Sequence, residues 1–456
     1  MNPALKIHTT TQAPGPLNGV CQIPGSKSLT NRALVLAALA SRRGPCRLNH
    51  ALASEDTEVM VAGLQALGWH VDAQWNTEEI TVQRPPKAPL DRLIPASQAS
   101  IHVVNSGTTM RFLTGLCSLG TGCFTLDGIE RMRERPLADM IEALKKLGVD
   151  VQCPMKPGCP PVVITSTGWN ATEVSVGGEV SSQFVSGLLL AAPWCGKSIR
   201  IAIEGSLVSE PYVDMTIALI RQWGANVTVE APGRYRVEPS DLAYREEYSV
   251  EPDASAASYF WGAAAITGGS ITIPGLGRSS LQGDVAFVDV LEKMGCDVRF
   301  DEAGVTVSGR ASRGVHVDMN AISDTVPTLA VVALFAEGPT TIRNVAHIRD
   351  KETDRIGDLA REIRRLGGTV TEQPDGLTIV AAGGQGEKVP GSTRDVARGL
   401  RGAVVHTYDD HRMAMSLALA GLRVPGVRVA DPGCVGKTFP DYWDRLSAIT
   451  RCCGPA

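Results

Sequence analysis

Basic side chains stand at the start of several strongly apolar segments of this 456-residue sequence. Lys27 and Arg32 flank Ser28 in GSKSLTNR, Arg111 ends NSGTTMR, and Arg412 ends DDHR. A cation at a helix N-terminus opposes the helix dipole and is disfavoured there unless an anion is present. Together with backbone N–H groups and small residues, these cations indicate pockets for phosphate or carboxylate groups.

Helix capping is the simpler explanation of the polar residues beside these cations. Each of the six segments that precede an apolar run supplies Ser, Asn or Asp near its start: GSKSLTNR, NSGTTMR, EVSSQ, EPDAS, SDTVPT and DDHR. Such side chains accept N–H groups of the first helical turn, and each contributes about 1 kcal/mol. Capping, however, predicts no Lys or Arg there.

A P-loop is excluded, because the first glycine and the GK pair of GxxxxGK[ST] are absent. For any one cation a solvated surface charge is the better explanation, and it is the repetition that favours anion pockets.

Two further charge clusters follow predicted strands. In DGIERMRERP three arginines surround a glutamate before a helix that Pro136 is expected to open: Arg131, Arg133 and Arg135 around Glu134. In HIRDKETDR, Lys351 and Arg355 are four residues apart, so a helix would place them on one face with Glu352 beside them. A surface salt-bridge network is the alternative for either cluster.

The elements that must position these residues form a repeat. Amphipathic segments that end in glycine and precede a strand containing valine recur about every 70 to 80 residues, with glycines at Gly68, Gly148, Gly224, Gly295 and Gly367. Each glycine suits the left-handed position that ends a helix. A sixth helix is predicted in TFPDYWDRLSAI, with Thr438 as its N-cap.

A second family of helices alternates with the first and is apolar nearly all round, as in RALVLAALAS and SYFWGAAAI, which predicts burial. The unit therefore reads strand, helix, strand, helix, strand, with a further strand possible, and three units make a domain. The joint is expected near DLAYREEYSVEPDAS, which gives one α/β domain of residues 25–250 and another of residues 1–24 with 251–456.

Bulk composition excludes several classes of partner. The 44 basic and 48 acidic residues give a formal net charge of −4, so no global field favours nucleic acid or an anionic membrane. Neither an apolar span of about 18 residues nor a signal peptide is evident, and a cytoplasmic protein is expected.

The 11 cysteines include no CxxC pair, and Cys452 and Cys453 are merely adjacent. They are expected to be reduced and mostly buried, without zinc or a disulfide framework.

Seven motifs in order, GSKSLTNR, NSGTTMR, RMRERP, VSSQF, KETDR, DDHRMAM and KTFPDYW, resemble those of the 5-enolpyruvylshikimate-3-phosphate (EPSP) synthase family, and the resemblance covers residues 20–445. It implies a two-domain inside-out α/β barrel of six βαβαββ repeats, with the active site in the cleft between the domains. It also implies transfer of the enolpyruvyl group of phosphoenolpyruvate to the 5-hydroxyl of shikimate 3-phosphate, by a monomer that uses no metal or organic cofactor.

The resemblance assigns two overlapping sets of ligands. Those for shikimate 3-phosphate are Lys27, Ser28, Arg32, Ser181, Ser182, Gln183, Ser209, Tyr212, Asp324, His347 and Lys351. Those for phosphoenolpyruvate are Lys27, Asn105, Gly107, Arg131, Gln183, Glu352, Arg355, His411, Arg412 and Lys437. Fixed cations of this kind suit a reaction that brings two mutually repelling anions together.

The implied reaction is an addition followed by an elimination through a tetrahedral intermediate. Asp324 would be the general base for the 5-hydroxyl, while Glu352, Lys351 and Lys27 would share the remaining proton transfers, in an order that the sequence leaves open. A helix N-cap is the structural alternative for Asp324. Closure of the two domains on the first substrate is expected.

The sequence departs from the family pattern at four positions. Val104 replaces a common glycine, and Thr109 and Phe112 replace a common alanine and proline, which leaves the response to the inhibitor glyphosate open. His347 replaces a common asparagine and is either a phosphate contact or a packed histidine.

Two other functions were weighed against this one. The first is enolpyruvyl transfer to UDP-N-acetylglucosamine, which needs a loop cysteine that GIERMRERP lacks. The second is a non-catalytic phosphate-ligand protein, which would be expected to have lost part of the acid–base set.

Overall fold

The computed structural model describes residues 6–240, 244–381 and 399–451. The chain divides into two compact units: the middle unit, Gly25–Glu251, and the terminal unit, Met1–Pro24 with Pro252–Ala456. Residues 241–243 of the predicted joint and the pair Cys452 and Cys453 lie outside the described residues.

Thirteen α-helices lie in the described residues. They are α1 (Lys27–Ala40), α2 (Glu55–Ala66), α3 (Gly107–Cys117), α4 (Glu130–Glu134), α5 (Ala138–Lys146), α6 (Ser182–Ala191), α7 (Pro211–Gln222), α8 (Ala254–Thr267), α9 (Phe287–Lys293), α10 (Val326–Val332), α11 (Arg355–Arg365), α12 (His411–Ala418) and α13 (Tyr442–Arg451).

The strands of the described ranges number 23. They are β1 (Ile7–Thr9), β2 (Asn18–Val20), β3 (Cys46–Asn49), β4 (His70–Gln74), β5 (Glu79–Gln83), β6 (Gln98–His102), β7 (Thr121–Asp127), β8 (Asp150–Gln152), β9 (Val162–Thr167), β10 (Glu173–Gly177), β11 (Ile199–Glu204), β12 (Val227–Ala231), β13 (Arg234–Val237), β14 (Glu247–Ser249), β15 (Ser270–Ile273), β16 (Asp297–Asp301), β17 (Gly304–Ser308), β18 (His316–Asp318), β19 (Pro339–Arg343), β20 (Thr369–Gln373), β21 (Gly376–Val380), β22 (Val404–Val405) and β23 (Arg428–Ala430).

Five of the six sheets seen in these ranges share one strand order. The order β6-β7-β9-β8 is typical: β6 and β7 are parallel and the other two pairs are antiparallel. A parallel pair needs a crossover, which α3 supplies, whereas β8 and β9 are neighbours in the chain. The sequence pattern predicts this unit up to its third strand and leaves the fourth open, and the structure contains that fourth strand. The mixed α/β class is confirmed.

Two sheets borrow a strand from a distant part of the chain. In the middle unit β14 pairs with β3 in parallel, and in the terminal unit β2 pairs with β15 in parallel. A second N-terminal segment, β1, pairs antiparallel with β23. These long-range pairs tie Asn18–Val20 and Ile7–Thr9 to the terminal unit, and each unit then holds three sheets among its described residues.

The prediction of two helix families is confirmed. Every residue of α3 and α8 is buried, as is nearly every residue of α1. By contrast α11 buries one face, including Ile356, Leu359 and Ile363. The five helix-ending glycines all have positive φ, from 84° to 105°. That backbone conformation disfavours any residue with a Cβ.

Helix beginnings are where the sequence prediction is wrong. The last helix starts at Tyr442, and Thr438 instead ends a short 3₁₀ helix. The helix after the arginine cluster starts at Ala138, so Pro136 lies before it. Lys351 lies in extended backbone ahead of α11, so it does not share a helix face with Arg355. In each case a proline or a 3₁₀ turn precedes the α-helix, so the helix begins several residues after the polar residues that were expected to start it.

Of the nine described cysteines, five are buried and four are half-buried. Among the described helices, none has the length and apolarity needed to cross a bilayer.

Candidate active site

Arg32 is the most deeply buried cation of the middle unit. Its side chain, one turn into α1, is 1% exposed and donates to Thr216 Oγ1 (2.7 Å), Ser28 O (2.9 Å), Ser186 Oγ (3.3 Å) and Tyr212 O (3.1 Å). The guanidinium also stacks over the Phe112 ring, with Cζ 4.9 Å from the ring centre. Burial lowers the pKa of Arg32 to about 10.

The hydrogen-bond acceptors around Arg32 are all uncharged within the described residues. A guanidinium has five N–H donors, and these bonds use four of them. A buried cation without a carboxylate is costly unless an anion completes the site. The contact between Arg32 and the Ser28 carbonyl, on the face of α1 that the sequence predicts for both residues, is consistent with the predicted anion pocket.

Lys27 is the first residue of α1, and Ser26 caps that helix. Its ammonium lies 3.2 Å from the carboxylate of Asp56, whose side chain is 3% exposed. Asp56 belongs to the first turn of α2, and its carbonyl accepts from Thr109 Oγ1 (3.4 Å). Thr109, a departure from the family pattern, thus links the starts of α2 and α3.

Two arginines lie against Gly107, the first residue of α3: Arg111 of the same helix and Arg135, which follows α4. A Cβ at residue 107 would collide with Nη1 of Arg111 and lie 2.7 Å from Nη2 of Arg135. Arg135 donates to the backbone carbonyl of Asn105 (3.1 Å), and both side chains are buried. A larger residue at position 107 would therefore have to displace at least one of these two guanidinium groups.

The start of α6 carries the predicted serines and glutamine. Ser181 caps the helix by accepting from the backbone N–H of Gln183, and Ser182 is the first helical residue. The side chain of Gln183 reaches back to α3, where its Oε1 accepts from Arg111 (3.0 Å).

Ser209 and Tyr212 precede and open α7. Ser209 is buried at φ 51°, and its carbonyl accepts from the Tyr212 N–H (3.1 Å). The Tyr212 carbonyl then binds Arg32, which connects this turn to α1.

Arg131 lies on α4, where it pairs with Glu134 at 2.9 Å on an exposed surface.

In the terminal unit Arg355 is the centre of a buried ion network. Its side chain is 1% exposed and binds Asp410 (2.8 Å), Glu352 (2.8 Å) and Asp324 (3.1 Å). Burial alone would lower the pKa of Arg355, but these three carboxylates outweigh it and raise the pKa. Arg355 is therefore a permanent cation whose position is fixed by three carboxylates.

Two further predicted cations, Arg412 and Lys437, bind the same carboxylates. Arg412 donates to Asp324 (2.7 Å), and the ammonium of Lys437 lies 3.2 Å from Glu352. All of these side chains except Asp324 are less than 9% exposed. The structure thus brings together five of the predicted residues.

Asp324 is not a helix cap. α10 begins at Val326 with Thr325 at its N-cap position and no side-chain capping bond, whereas Asp324 directs its carboxylate to the two arginines. The capping alternative is therefore wrong for this residue. Side-chain capping does hold at Ser26, Ser106, Ser181, Asp253 and Asp410.

His347 is buried in the terminal unit, and its Nε2 lies 3.0 Å from Ser323 Oγ. Burial, aided by the nearby charge of Lys351, lowers the pKa of His347 to about 3. The residue is therefore a neutral hydrogen-bonding group at ordinary pH. His411 is fully buried at the first position of α12.

Three residues of this arrangement were not assigned from the sequence as ligands. Asp410 holds Arg355 and caps α12, Asp56 holds Lys27, and Arg111 holds Gln183. Arg111 and Asp410 stand inside quoted motifs, but no spacing rule pairs Asp56 with Lys27.

Val104 and Phe112 also have defined surroundings. Val104 adopts φ 49°, which explains why a glycine is common at this position, and the Phe112 ring lies beneath Arg32. Each unit thus contains buried cations of the type that binds phosphate and carboxylate groups, and in the terminal unit these cations contact the carboxylates of Asp324 and Glu352.

Comparison with known proteins gives one consistent result. The profile of the EPSP synthase (3-phosphoshikimate 1-carboxyvinyltransferase) family matches residues 11–446. The chain is 42% identical over 432 residues to the 3-phosphoshikimate 1-carboxyvinyltransferase of Nostoc punctiforme, covering 94% of this chain and 96% of the relative. It is 41% identical to the enzyme of that name from Thiobacillus denitrificans, covering 95% and 97%.

Solved structures share the fold. EPSP synthase from Acinetobacter baumannii superposes with a TM-score of 0.75 at 23% identity, covering 98% of both chains. The enolpyruvyl transferase NikO from Streptomyces tendae gives 0.72 at 20% identity, covering 98% of this chain and 97% of that one. With a profile match over nearly its whole length and relatives about 40% identical, the chain belongs to the EPSP synthase family.

Proposed function

We propose that this chain transfers the enolpyruvyl group of phosphoenolpyruvate to the 5-hydroxyl of shikimate 3-phosphate, with release of phosphate, in the shikimate pathway of aromatic amino acid synthesis. Family membership and relatives carrying the name of that activity support the assignment. The observation that carries it is the buried network in which Arg355, Arg412 and Lys437 hold the carboxylates of Asp324 and Glu352. Anion-binding and proton-transfer groups are neighbours in that network.

The middle unit supplies most of the shikimate 3-phosphate ligands in this proposal. Arg32, with its remaining N–H donor, binds the carboxylate together with Ser28, while Ser181, Ser182, Gln183, Ser209 and Tyr212 bind the phosphate and hydroxyls. The buried, charge-unpaired state of Arg32 supports this assignment. His347, Lys351 and Asp324 complete the ligand set from the terminal unit, with His347 as a neutral donor or acceptor.

Phosphoenolpyruvate binds the cations of the terminal unit in this proposal. Arg355 and Arg412 take its carboxylate, Lys437 belongs to the same ion network, and His411 directly precedes Arg412 in α12. Lys27, Asn105, Gly107, Arg131 and Gln183 contribute from the middle unit. Guanidinium groups suit this task because their paired N–H donors match a carboxylate.

The chemistry proceeds in two steps. Asp324 takes the proton of the 5-hydroxyl, whose oxygen bonds to C2 of phosphoenolpyruvate while C3 gains a proton. C3 then loses a proton, the C2–O bond to phosphate breaks, and inorganic phosphate leaves. Glu352, Lys351 and Lys27 are the groups for the proton transfers at C3 and at the leaving oxygen, and the cations stabilise the charge that develops.

The finer architecture is part of the same proposal. The two units form an inside-out barrel of six repeats, with the active site between them, and closure on shikimate 3-phosphate excludes water. The enzyme acts as a monomer in the cytoplasm on small molecules, without nucleic acid.

The test is a phosphate-release assay with phosphoenolpyruvate, run in parallel with shikimate 3-phosphate and with UDP-N-acetylglucosamine. We expect turnover with shikimate 3-phosphate alone, and turnover with the sugar nucleotide alone would overturn the assignment.

Asp324→Asn keeps the shape of the side chain but removes the base, so kcat should fall roughly 10²- to 10⁴-fold. The control is Asp297→Asn, an exposed strand residue of the same unit, which should retain full activity.

A further inference from the structure

The side-chain amide of Gln183 is held at both ends. Its Oε1 accepts from Nη1 of Arg111 (3.0 Å), and its Nε2 donates to Thr108 Oγ1 (3.4 Å). The two ends of an amide have nearly the same shape, so hydrogen bonds alone decide which end faces a ligand. A bond from a charged donor is about twice as strong as a neutral one, so Arg111 dominates that choice.

Arg111 is itself rigidly placed. It is 4% exposed, its Nη2 donates to Pro136 O (3.4 Å), and its Cζ lies 5.4 Å from the centre of the Phe184 ring. Its Nη1 occupies the space that a Cβ at Gly107 would fill. Arg111 belongs to α3 and Gln183 belongs to α6. The contact therefore links two helices whose first residues, Gly107 and Ser182, are proposed substrate ligands.

We propose that Arg111 is a positioning residue that pins Oε1 of Gln183, so that the NH₂ end is the one offered to the phosphorylated substrates. This rests on the proposed function, which assigns Gln183 to both substrates. In the described residues one N–H of Nε2 has no acceptor, and a phosphate oxygen can take it. The flipped amide would instead present Oε1 to an anion, which is repulsive.

The first consequence is a kinetic coupling between the two residues. Arg111→Met and Gln183→Met should each raise the KM for both substrates roughly tenfold to a hundredfold, the range expected for losing a hydrogen bond to a charged group. The double variant should be no worse than either single variant, because both changes remove the same donor. Arg111→Lys, which keeps one charged donor, should recover part of the loss.

The variant Gln183→Glu tests whether Gln183 acts by donating a hydrogen bond to the substrates or only by filling space beside Arg111. A glutamate keeps the contact with Arg111 but has no N–H to offer, so it should lose substrate affinity as severely as Gln183→Met. If Gln183→Glu bound shikimate 3-phosphate as tightly as the wild type, the donor role of Gln183 would be refuted.

An NMR measurement tests the orientation without turnover. The ¹⁵N–¹H side-chain signals of Gln183 in the full ¹⁵N-labelled chain are identified by their loss in Gln183→Met, and Arg111→Met should shift or broaden them. An unmoved Gln183 signal, strictly additive kinetic effects, or KM values within twofold of wild type in Arg111→Met would each overturn the inference while leaving the proposed function intact. Failure of the wild type to release phosphate would instead refute the proposed function, and the NMR result would still decide the orientation of Gln183.

Discussion

At the scale of single residues, the site depends on which neighbour neutralises each charge. Arg32 has uncharged acceptors, whereas Arg355 has three carboxylates, although both are buried arginines near helix starts. Removing one member of a buried ion network leaves an uncompensated charge, which is strongly destabilising. The two arginines therefore differ in local charge balance: three carboxylates surround Arg355, whereas the acceptors of Arg32 among the described residues carry no charge.

The low pKa of His347 predicts a pH-dependent stability. In the unfolded chain its pKa is near 6.5, whereas in the folded chain it is about 3. Between these values the unfolded state binds a proton that the native state does not, so stability falls as pH falls from about 6.5 towards about 3. Urea unfolding at pH 7.5, 5.5 and 4.5 should show this loss in the wild type and a smaller loss in His347→Asn.

The control for that measurement is His316→Asn, which changes an exposed histidine of the same unit. It should follow the wild type at every pH. Equal pH dependence in His347→Asn and wild type would contradict the assignment of the effect to His347.

Val104 predicts a stabilising substitution. A β-branched residue at φ 49° is strained by about 1–3 kcal/mol, and glycine adopts that conformation freely. After the entropic cost of glycine, Val104→Gly should raise the free energy of unfolding by about 1 kcal/mol, measured by urea denaturation. Val229→Gly, at a half-exposed strand position, should lower it, and a loss of stability in Val104→Gly would show that side-chain packing outweighs the strain.

At the scale of elements, close approach of α3 and α6 brings Arg111 to Gln183. Two glycines make that approach possible: a Cβ at Gly115 would lie 2.5 Å from the carbonyl oxygen of Gly187, and a Cβ at Gly187 would lie 2.9 Å from the carbonyl oxygen of Arg111. Both contacts are with backbone, which cannot move aside as a side chain can. The glycine pair therefore sets the helix separation.

Gly115→Ala should accordingly destabilise the protein and weaken substrate binding together. Overpacking of this kind costs about 1–3 kcal/mol, read from urea denaturation, and the shift of α6 should also raise the KM for shikimate 3-phosphate. Gly433→Ala, where nothing lies within 4 Å of the added Cβ, is the matched control. A Gly115→Ala variant with wild-type stability would argue against a fixed helix separation.

At the scale of the whole molecule, the proposed function requires both units to supply ligands to one pair of substrates. Proposed phosphate and carboxylate ligands lie in each unit, Arg32 and Gln183 in one and Arg355 and Arg412 in the other. Two anions that repel one another need cations from both sides, so binding of the first substrate should draw the units together.

Small-angle X-ray scattering tests this closure. The radius of gyration of the full chain should decrease when saturating shikimate 3-phosphate is added, and UDP-N-acetylglucosamine at the same concentration should leave it unchanged. An identical radius with and without shikimate 3-phosphate would refute closure on the first substrate.

The sequence by itself determined the repeat, the two helix families and the cations at helix starts. These features depend on residue type and on periodicity within a few turns, and burial of α3 and α8 and the left-handed glycines such as Gly148 follow from such local patterns. The seven motifs also identified the family, because their order along the chain is itself specific.

Only the tertiary structure decided which charges meet. Asp56 reaches Lys27, Asp410 reaches Arg355, and Arg111 reaches Gln183 because separate helices are packed at particular distances and rotations. It also decided where helices begin, as at Tyr442 rather than Thr438. The physical reason is that pairing energies depend on separations in space, and residues far apart in the chain acquire those separations only when the core packs.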